Sequence, residues 1–133
     1  MIVDANVAIY WCVETPLSKA AKPIAERTDL RAPGLIRLET TSALLKYLRA
    51  GQIGDLQFHE SFGIIEDAIS EFVDDAGLLK AAAAIAVSRS HMIYDCLYLA
   101  LALQRREPIA TADRRLAALA GMIGVEAVLI EPA

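Results

Sequence analysis

The sequence predicts an α/β fold: a central parallel five-stranded sheet flanked by helices. Short apolar segments alternate with helical ones along the whole chain. Each apolar segment is short and continuous, the pattern of strands buried on both faces. Apolar residues also make up 56% of the 133 residues, above the usual share for a soluble domain and enough for a sizeable core. There is no internal repeat, linker or break in composition, so residues 1–133 read as a single domain.

Ile2-Val3 opens the chain as a strand ending at Asp4. Asn6 is placed to cap a helix through Trp11, and Pro16 to start a second one reaching about Arg27. Leu30-Arg31-Ala32 is a weak strand candidate before Pro33-Gly34. A helical pattern then runs from Leu35 to Ala50 and stops at Gly51, a C-terminal cap. Another covers Asp55 to Ser70, followed by the strand Glu71-Phe72-Val73 and an Ala-rich helix from about Asp75 to Ser88. Ser90 is placed to cap the next helix, which reaches Arg106 and is apolar on nearly every side through Leu97, Leu99, Leu101 and Leu103. Such a helix is expected to be buried. Pro108 to Thr111 form a strand, Arg114 to Ala120 a helix, and Val125 to Ile130 the last strand.

The chain carries 13 Lys+Arg against 17 Asp+Glu, a net charge of -4, with no basic half or tail. That excludes a protein that coats nucleic acid by bulk charge. Cys12 and Cys96 lie in apolar surroundings without CxxC spacing, as small buried side chains in a reducing compartment do. The longest uncharged run, Leu116 to Val125, has ten residues, about half a membrane span. The N-terminus lacks the positive segment of a signal peptide and has a carboxylate at Asp4. The expectation is a cytoplasmic protein with no membrane association.

Four carboxylates stand out from their apolar surroundings. Asp4 ends the first strand, and Asp113 follows Ile109-Ala110-Thr111. Glu39 and Asp95 interrupt mostly apolar helices near their N-termini. Burying a lone carboxylate costs several kcal/mol, roughly, unless a partner or a cation compensates it. Strand C-terminal ends are where open parallel sheets bind ligands, and an all-oxygen site suits Mg²⁺ or Mn²⁺. Simpler uses stay open at this point. Asp4 and Asp113 are equally placed to cap the helices that follow them, and Glu39 to pair with Lys46 or Arg37 on the surface.

The flanking residues sharpen the choice. Ile2-Val3-Asp4-Ala5-Asn6-Val7-Ala8-Ile9-Tyr10-Trp11 resembles the opening of PIN-domain toxins of the VapC type. Leu38-Glu39-Thr40-Thr41-Ser42-Ala43-Leu44 is similar to their second acidic motif. Tyr94-Asp95-Cys96-Leu97-Tyr98-Leu99-Ala100-Leu101-Ala102 resembles their Tyr-Asp-Ala helix, and Ile109-Ala110-Thr111-Ala112-Asp113-Arg114-Arg115-Leu116 their Thr-x-Asp motif. The four motifs occur in the family's order across essentially the whole chain. Asn6 stands where many members have Ser, Cys96 replaces a common Ala, and Met92 occupies an often small, polar position.

The resemblance implies a PIN-like three-layer fold and a metal-dependent endoribonuclease. It implies the toxin of a VapBC-type toxin–antitoxin pair, held silent by a cognate VapB-type antitoxin, commonly a homodimer, cutting tRNA or rRNA loops. On that basis Asp4, Glu39, Asp95 and Asp113 are the catalytic, metal-binding residues, with Mg²⁺ or Mn²⁺ as the ion. Glu39 is a ligand or the group that positions the attacking water, and Asn6 and Thr111 orient the ligands by hydrogen bonds. An inactive PIN-like interaction module is the alternative. A receiver-type signalling domain fits poorly, because Lys80 is the last lysine and a late one is required.

Other residues are read more plainly. His59 and His91 are expected at the surface, and no cysteine has a partner base. Arg105, Arg106, Arg114 and Arg115 are candidate phosphate contacts or solvated helix ends. Tyr94 is expected in the core, with Tyr10 and Trp11 undecided between core and base stacking. Removing the four acids from the 17 leaves 13 against 13 basic residues, so the whole acidic excess is assigned to one pocket.

Overall fold

The computed structural model describes residues 1–132. Its strands are β1 (Ile2–Val3), β2 (Arg31–Pro33), β3 (Glu71–Val73), β4 (Ile109–Thr111) and β5 (Ala127–Leu129). All pair in parallel, in the order β3-β2-β1-β4-β5. The first strand therefore lies in the middle, with Ile2 opposite both Arg31 and Ile109 and Val3 opposite Ala110. The chain builds outward from β1 to one edge and then returns to β1's other side. That reversal between β1 and β4 opens a crevice at their C-terminal ends.

Helices α1 (Ala5–Cys12), α2 (Ser18–Ala25), α3 (Ile36–Arg49), α4 (Asp55–Ala68), α5 (Leu79–Arg89), α6 (Ile93–Arg105) and α7 (Arg114–Met122) flank the sheet. Among these, α6 lies on β1, β2 and β4 and carries α5, while α1 packs against α2, α3 and α4. The core runs through Ile2, Val3, Val7, Leu30, Leu99, Leu101, Ile109 and Leu116, all with no measurable exposure. Trp11 belongs to this core too. Its indole N–H donates to the Ala21 carbonyl at 2.9 Å and ties α1 to α2.

Several predicted boundaries move, each for a local reason. Asn6 lies inside α1, and Asp4 holds the N-cap position without a side-chain cap bond. Ser90 ends α5 rather than starting α6: it has φ 50° and ψ 48°, the left-handed turn that closes a helix. Only residues 90–92 join the two helices, so α6 starts after Met92, which has no capping side chain. Pro16 precedes a start at Ser18, where Ser18 Oγ donates to the Val13 carbonyl and accepts from Thr15 N–H. The segment Asp75–Gly77 is a 3-10 turn, and the Ala-rich helix begins only at Leu79.

Nor is α6 buried all round. Leu103 is 42% exposed and Tyr94, expected in the core, is 52% exposed, because the sheet and α5 cover only part of the helix. Arg105 binds Glu71 through two nitrogens at 3.0 and 2.7 Å. Arg31 joins Glu71 to Glu107 nearby, so this ionic cluster sits at the N-terminal end of the strands. Arg105 is thus remote from the crevice.

Burial within α6 predicts a graded response. Leu101→Ala should lower unfolding free energy by about 3 kcal/mol, and Leu103→Ala by less than about 1 kcal/mol. Urea unfolding followed by circular dichroism checks both; equal losses would contradict the burial described.

Candidate active site

The crevice is built from strand ends. Asp4 directly follows β1, and the residue is only 7% exposed. Thr111, the last residue of β4 and fully buried, donates its hydroxyl to Asp4 Oδ2 at 2.7 Å. The same hydroxyl oxygen accepts from Asp113 N–H at 3.0 Å and faces Asn6 Nδ2 at 3.5 Å. Asn6 Oδ1 in turn accepts from Ala112 N–H at 3.1 Å. Thr111 and Asn6 thus lock the end of β4 to the start of α1, and with it the direction of the Asp4 carboxylate.

Three further acids reach the same space. Glu39 comes from the first turn of α3, Asp95 from the first turn of α6, and Asp113 from the N-cap of α7. With Asp4 they line one cavity of about 320 Å³, together with Asn6, Tyr10 and Tyr47. All four singled-out acids and Asn6 therefore meet in one place. The capping use of Asp113 holds as well: its Oδ1 accepts from Arg115 and Leu116 N–H at 2.9 and 3.3 Å. Its Oδ2 has no hydrogen-bond partner among the described residues, so capping and site occupy different oxygens. Glu39 pairs with neither Lys46 nor Arg37, and Arg37 binds Glu66 instead.

Two partners of the acids escaped the sequence reading. His91 is not a surface residue. Its side chain is 7% exposed, and Nε2 lies 2.7 Å from Asp95 Oδ2. The i,i+4 spacing was visible, but it carries meaning only once His91 is known to lie against the first turn of α6. Tyr98, fully buried, donates its hydroxyl to Glu39 Oε1 at 2.7 Å. It stands three residues beyond Asp95, on the same face of α6. His59, by contrast, is exposed as expected.

The electrostatics follow from burial without counter-charge. No Lys or Arg lines the cavity among the described residues. Loss of water pushes the Asp4 carboxyl up to about 7, against the Thr111 hydrogen bond, and the charges of Asp95 and Glu39 add to it. Burial also raises Glu39, with Asp95 and Asp75 adding, while Tyr98 opposes. Tyr98 itself is held well above the usual phenol range by burial and by Glu39, so it stays a neutral donor. Burial raises both cysteine thiols, which leaves no ready thiolate.

This donor set fits a hard divalent cation. Among the described residues no group of three or more His, Cys, Asp or Glu side chains is drawn together closely enough to hold a metal ion by itself. The acids stand around an open cavity instead, where a hard divalent ion that keeps several of its waters needs only one or two of the carboxylates. An ion there would offset the burial that raises Asp4 and Glu39 and the repulsion that adds to it.

The raised Asp4 value fixes a sign. Between about pH 4 and 7 the folded chain keeps a proton that the unfolded chain releases, so stability falls as pH rises through that window and levels off above it. The loss is on the order of 4 kcal/mol for chelator-treated protein. Asp4→Asn should flatten the decline, and Mn²⁺ should reverse it at pH 8 more than at pH 5. Thermal melts across pH check this; a decline as steep in Asp4→Asn as in the wild-type chain would contradict it.

A family model described as PIN domain matches residues 1–122. A search of curated proteins finds no match to the chain. Among solved structures, the crystal structure of PAE2754 from Pyrobaculum aerophilum is similar, with a TM-score of 0.68 and 25% sequence identity. The alignment covers 89% of this chain and 82% of that one. PIN domains as a class are metal-dependent nucleases. The five-stranded parallel sheet with its flanking helices agrees with that match, and the chain belongs to the PIN domain family.

Proposed function

We propose that this PIN domain is a Mg²⁺- or Mn²⁺-dependent endoribonuclease, the toxin of a VapBC-type toxin–antitoxin pair, acting on tRNA or rRNA loops. The observation that carries the nuclease reading is the meeting of Asp4, Glu39, Asp95 and Asp113 in one cavity without a compensating Lys or Arg. Among the described residues no helix is long and apolar enough to cross a membrane. Our reading is of a cytoplasmic enzyme working as a single domain. The ordered sequence motifs support the toxin assignment, the homodimer and a cognate VapB-type antitoxin.

The mechanism assigns the four acids to hold the ion, directly or through water. A bound divalent ion lowers the pKa of its water and offsets charge developing on the phosphate. Everything else is the work of this chain's own residues. Thr111, anchored by Asn6, aims the Asp4 carboxylate from the end of β1. Tyr98 fixes one oxygen of Glu39 and leaves the other to accept a proton from the attacking water or to serve as a ligand. His91 fixes one oxygen of Asp95 in the same way. Asp113 is immobilised by the amides of α7. The carboxylates are therefore set before substrate arrives, which lowers the reorganisation needed during the reaction.

An antitoxin that silences this site is expected to present a basic side chain to the acids, since the cavity supplies none of its own. Loop RNA cleavage by purified, antitoxin-free protein should stop with EDTA and return with Mn²⁺. Asp95→Asn should lower kcat/KM roughly 100-fold or more, and His91→Ala or Tyr98→Phe about 10- to 100-fold. RNA 5′-end mapping reads each rate. Cleavage that survives EDTA or Asp95→Asn contradicts the metal-nuclease reading, and partner binding without cleavage assigns the chain to an interaction module.

A further inference from the structure

A second cavity, of about 450 Å³, opens beside the acidic one and shares Glu39 and Ala43 with it. Its other walls include Leu35, Leu38 and Lys46 along α3, and Tyr94 from the first turn of α6. Leu38 is 73% exposed and Tyr94 52%, so an apolar side chain and an aromatic ring stand open to solvent at the rim of a polar site. Glu39 and Lys46 lie seven residues apart on one face of α3, roughly 10 Å along the helix. Among the described residues Lys46 is absent from every ion pair. It is also the one Lys or Arg lining either cavity among those residues.

These features complement one another chemically. Cations held by the four acids would neutralise one phosphate of a bound strand, and the neighbouring phosphates would need positive charge elsewhere. Lys46 supplies it at the adjoining cavity, while Tyr94 offers a flat face that any base can stack on. An apolar peptide would match Leu38 but leave the ammonium without a counterpart. We propose that this cavity is a nucleotide subsite, in which Lys46 holds a phosphate flanking the scissile one and Tyr94 stacks the attached base. The proposal rests on the nuclease reading above.

Binding is separable from cleavage in the full chain carrying Asp95→Asn. Its affinity for a fluorescein-labelled, mixed-sequence hexaribonucleotide is read by anisotropy in Mn²⁺, with folding of each variant checked by circular dichroism. Adding Lys46→Ala should weaken binding about tenfold and reduce the salt slope of log Kd by roughly 0.7, and Lys46→Arg should restore both. Tyr94→Ala should weaken binding about tenfold, whereas Tyr94→Phe should stay within about twofold. With Asp95 restored, both alanine variants should raise KM for RNA more than they lower kcat. Unchanged affinity in the folded alanine variants, or an unchanged salt slope in Lys46→Ala, overturns the subsite. So does a hexaribonucleotide that fails to bind while a leucine-rich amphipathic peptide does. The nuclease reading fails separately, as RNA left intact by the wild-type chain in Mn²⁺.

Discussion

The Asp4 carboxylate stands at the end of the sheet's central strand with only 7% of the residue exposed, and the site is arranged around its charge. Three more acids face the same cavity, and the charges of Asp95 and Glu39 add to the burial that makes Asp4 hard to ionise. A fold that needed only stability would replace such a cluster with apolar side chains. Here every acid has its own restraint instead. Thr111 holds Asp4, Tyr98 holds Glu39, His91 faces Asp95, and two backbone amides hold Asp113. The hydroxyl and amide restraints fix direction without neutralising charge, and that combination leaves the cavity suited to an added cation.

Topology explains how acids so distant in sequence meet. Because β1 is central and β4 pairs with it, the chain's first strand and one of its last end side by side. Asp4 and Thr111, 107 residues apart, then lie within a hydrogen bond of each other. Helices α3 and α6 turn their N-terminal ends towards the same place, which sets Glu39 and Asp95 opposite the strand ends.

Much of this was legible in the sequence, and the misses have physical causes. Charge interrupting apolar runs marked Asp4, Glu39, Asp95 and Asp113, because burial of a carboxylate demands a reason. The strands at Ile2–Val3 and Ile109–Thr111 were readable as apolar segments, whereas β2, which begins at Arg31, was only a weak candidate at Leu30–Ala32. Ser90 was misread because a helix end needing positive φ leaves no mark when Gly is absent. Tyr94 was misplaced because an apolar helix reads as buried on all sides, whereas its neighbours cover only part of it. His91 stayed hidden because its contact depends on where the helix begins. The net charge of -4 is reconciled with a nucleic-acid substrate by the same geometry: the acidic excess equals the four carboxylates of the cavity.

Proton release on metal binding tests the central claim most directly. If the Asp4 carboxyl, near 7, is protonated in the free site and gives way to an ion, Mn²⁺ binding at pH 6 should release close to one proton or more. At pH 8.5 it should release almost none, and Asp4→Asn should lose most of the release at pH 6. Calorimetry in buffers of different ionisation enthalpy reads the proton count. Absence of Mn²⁺ binding, or binding with no proton released at pH 6, would contradict the account.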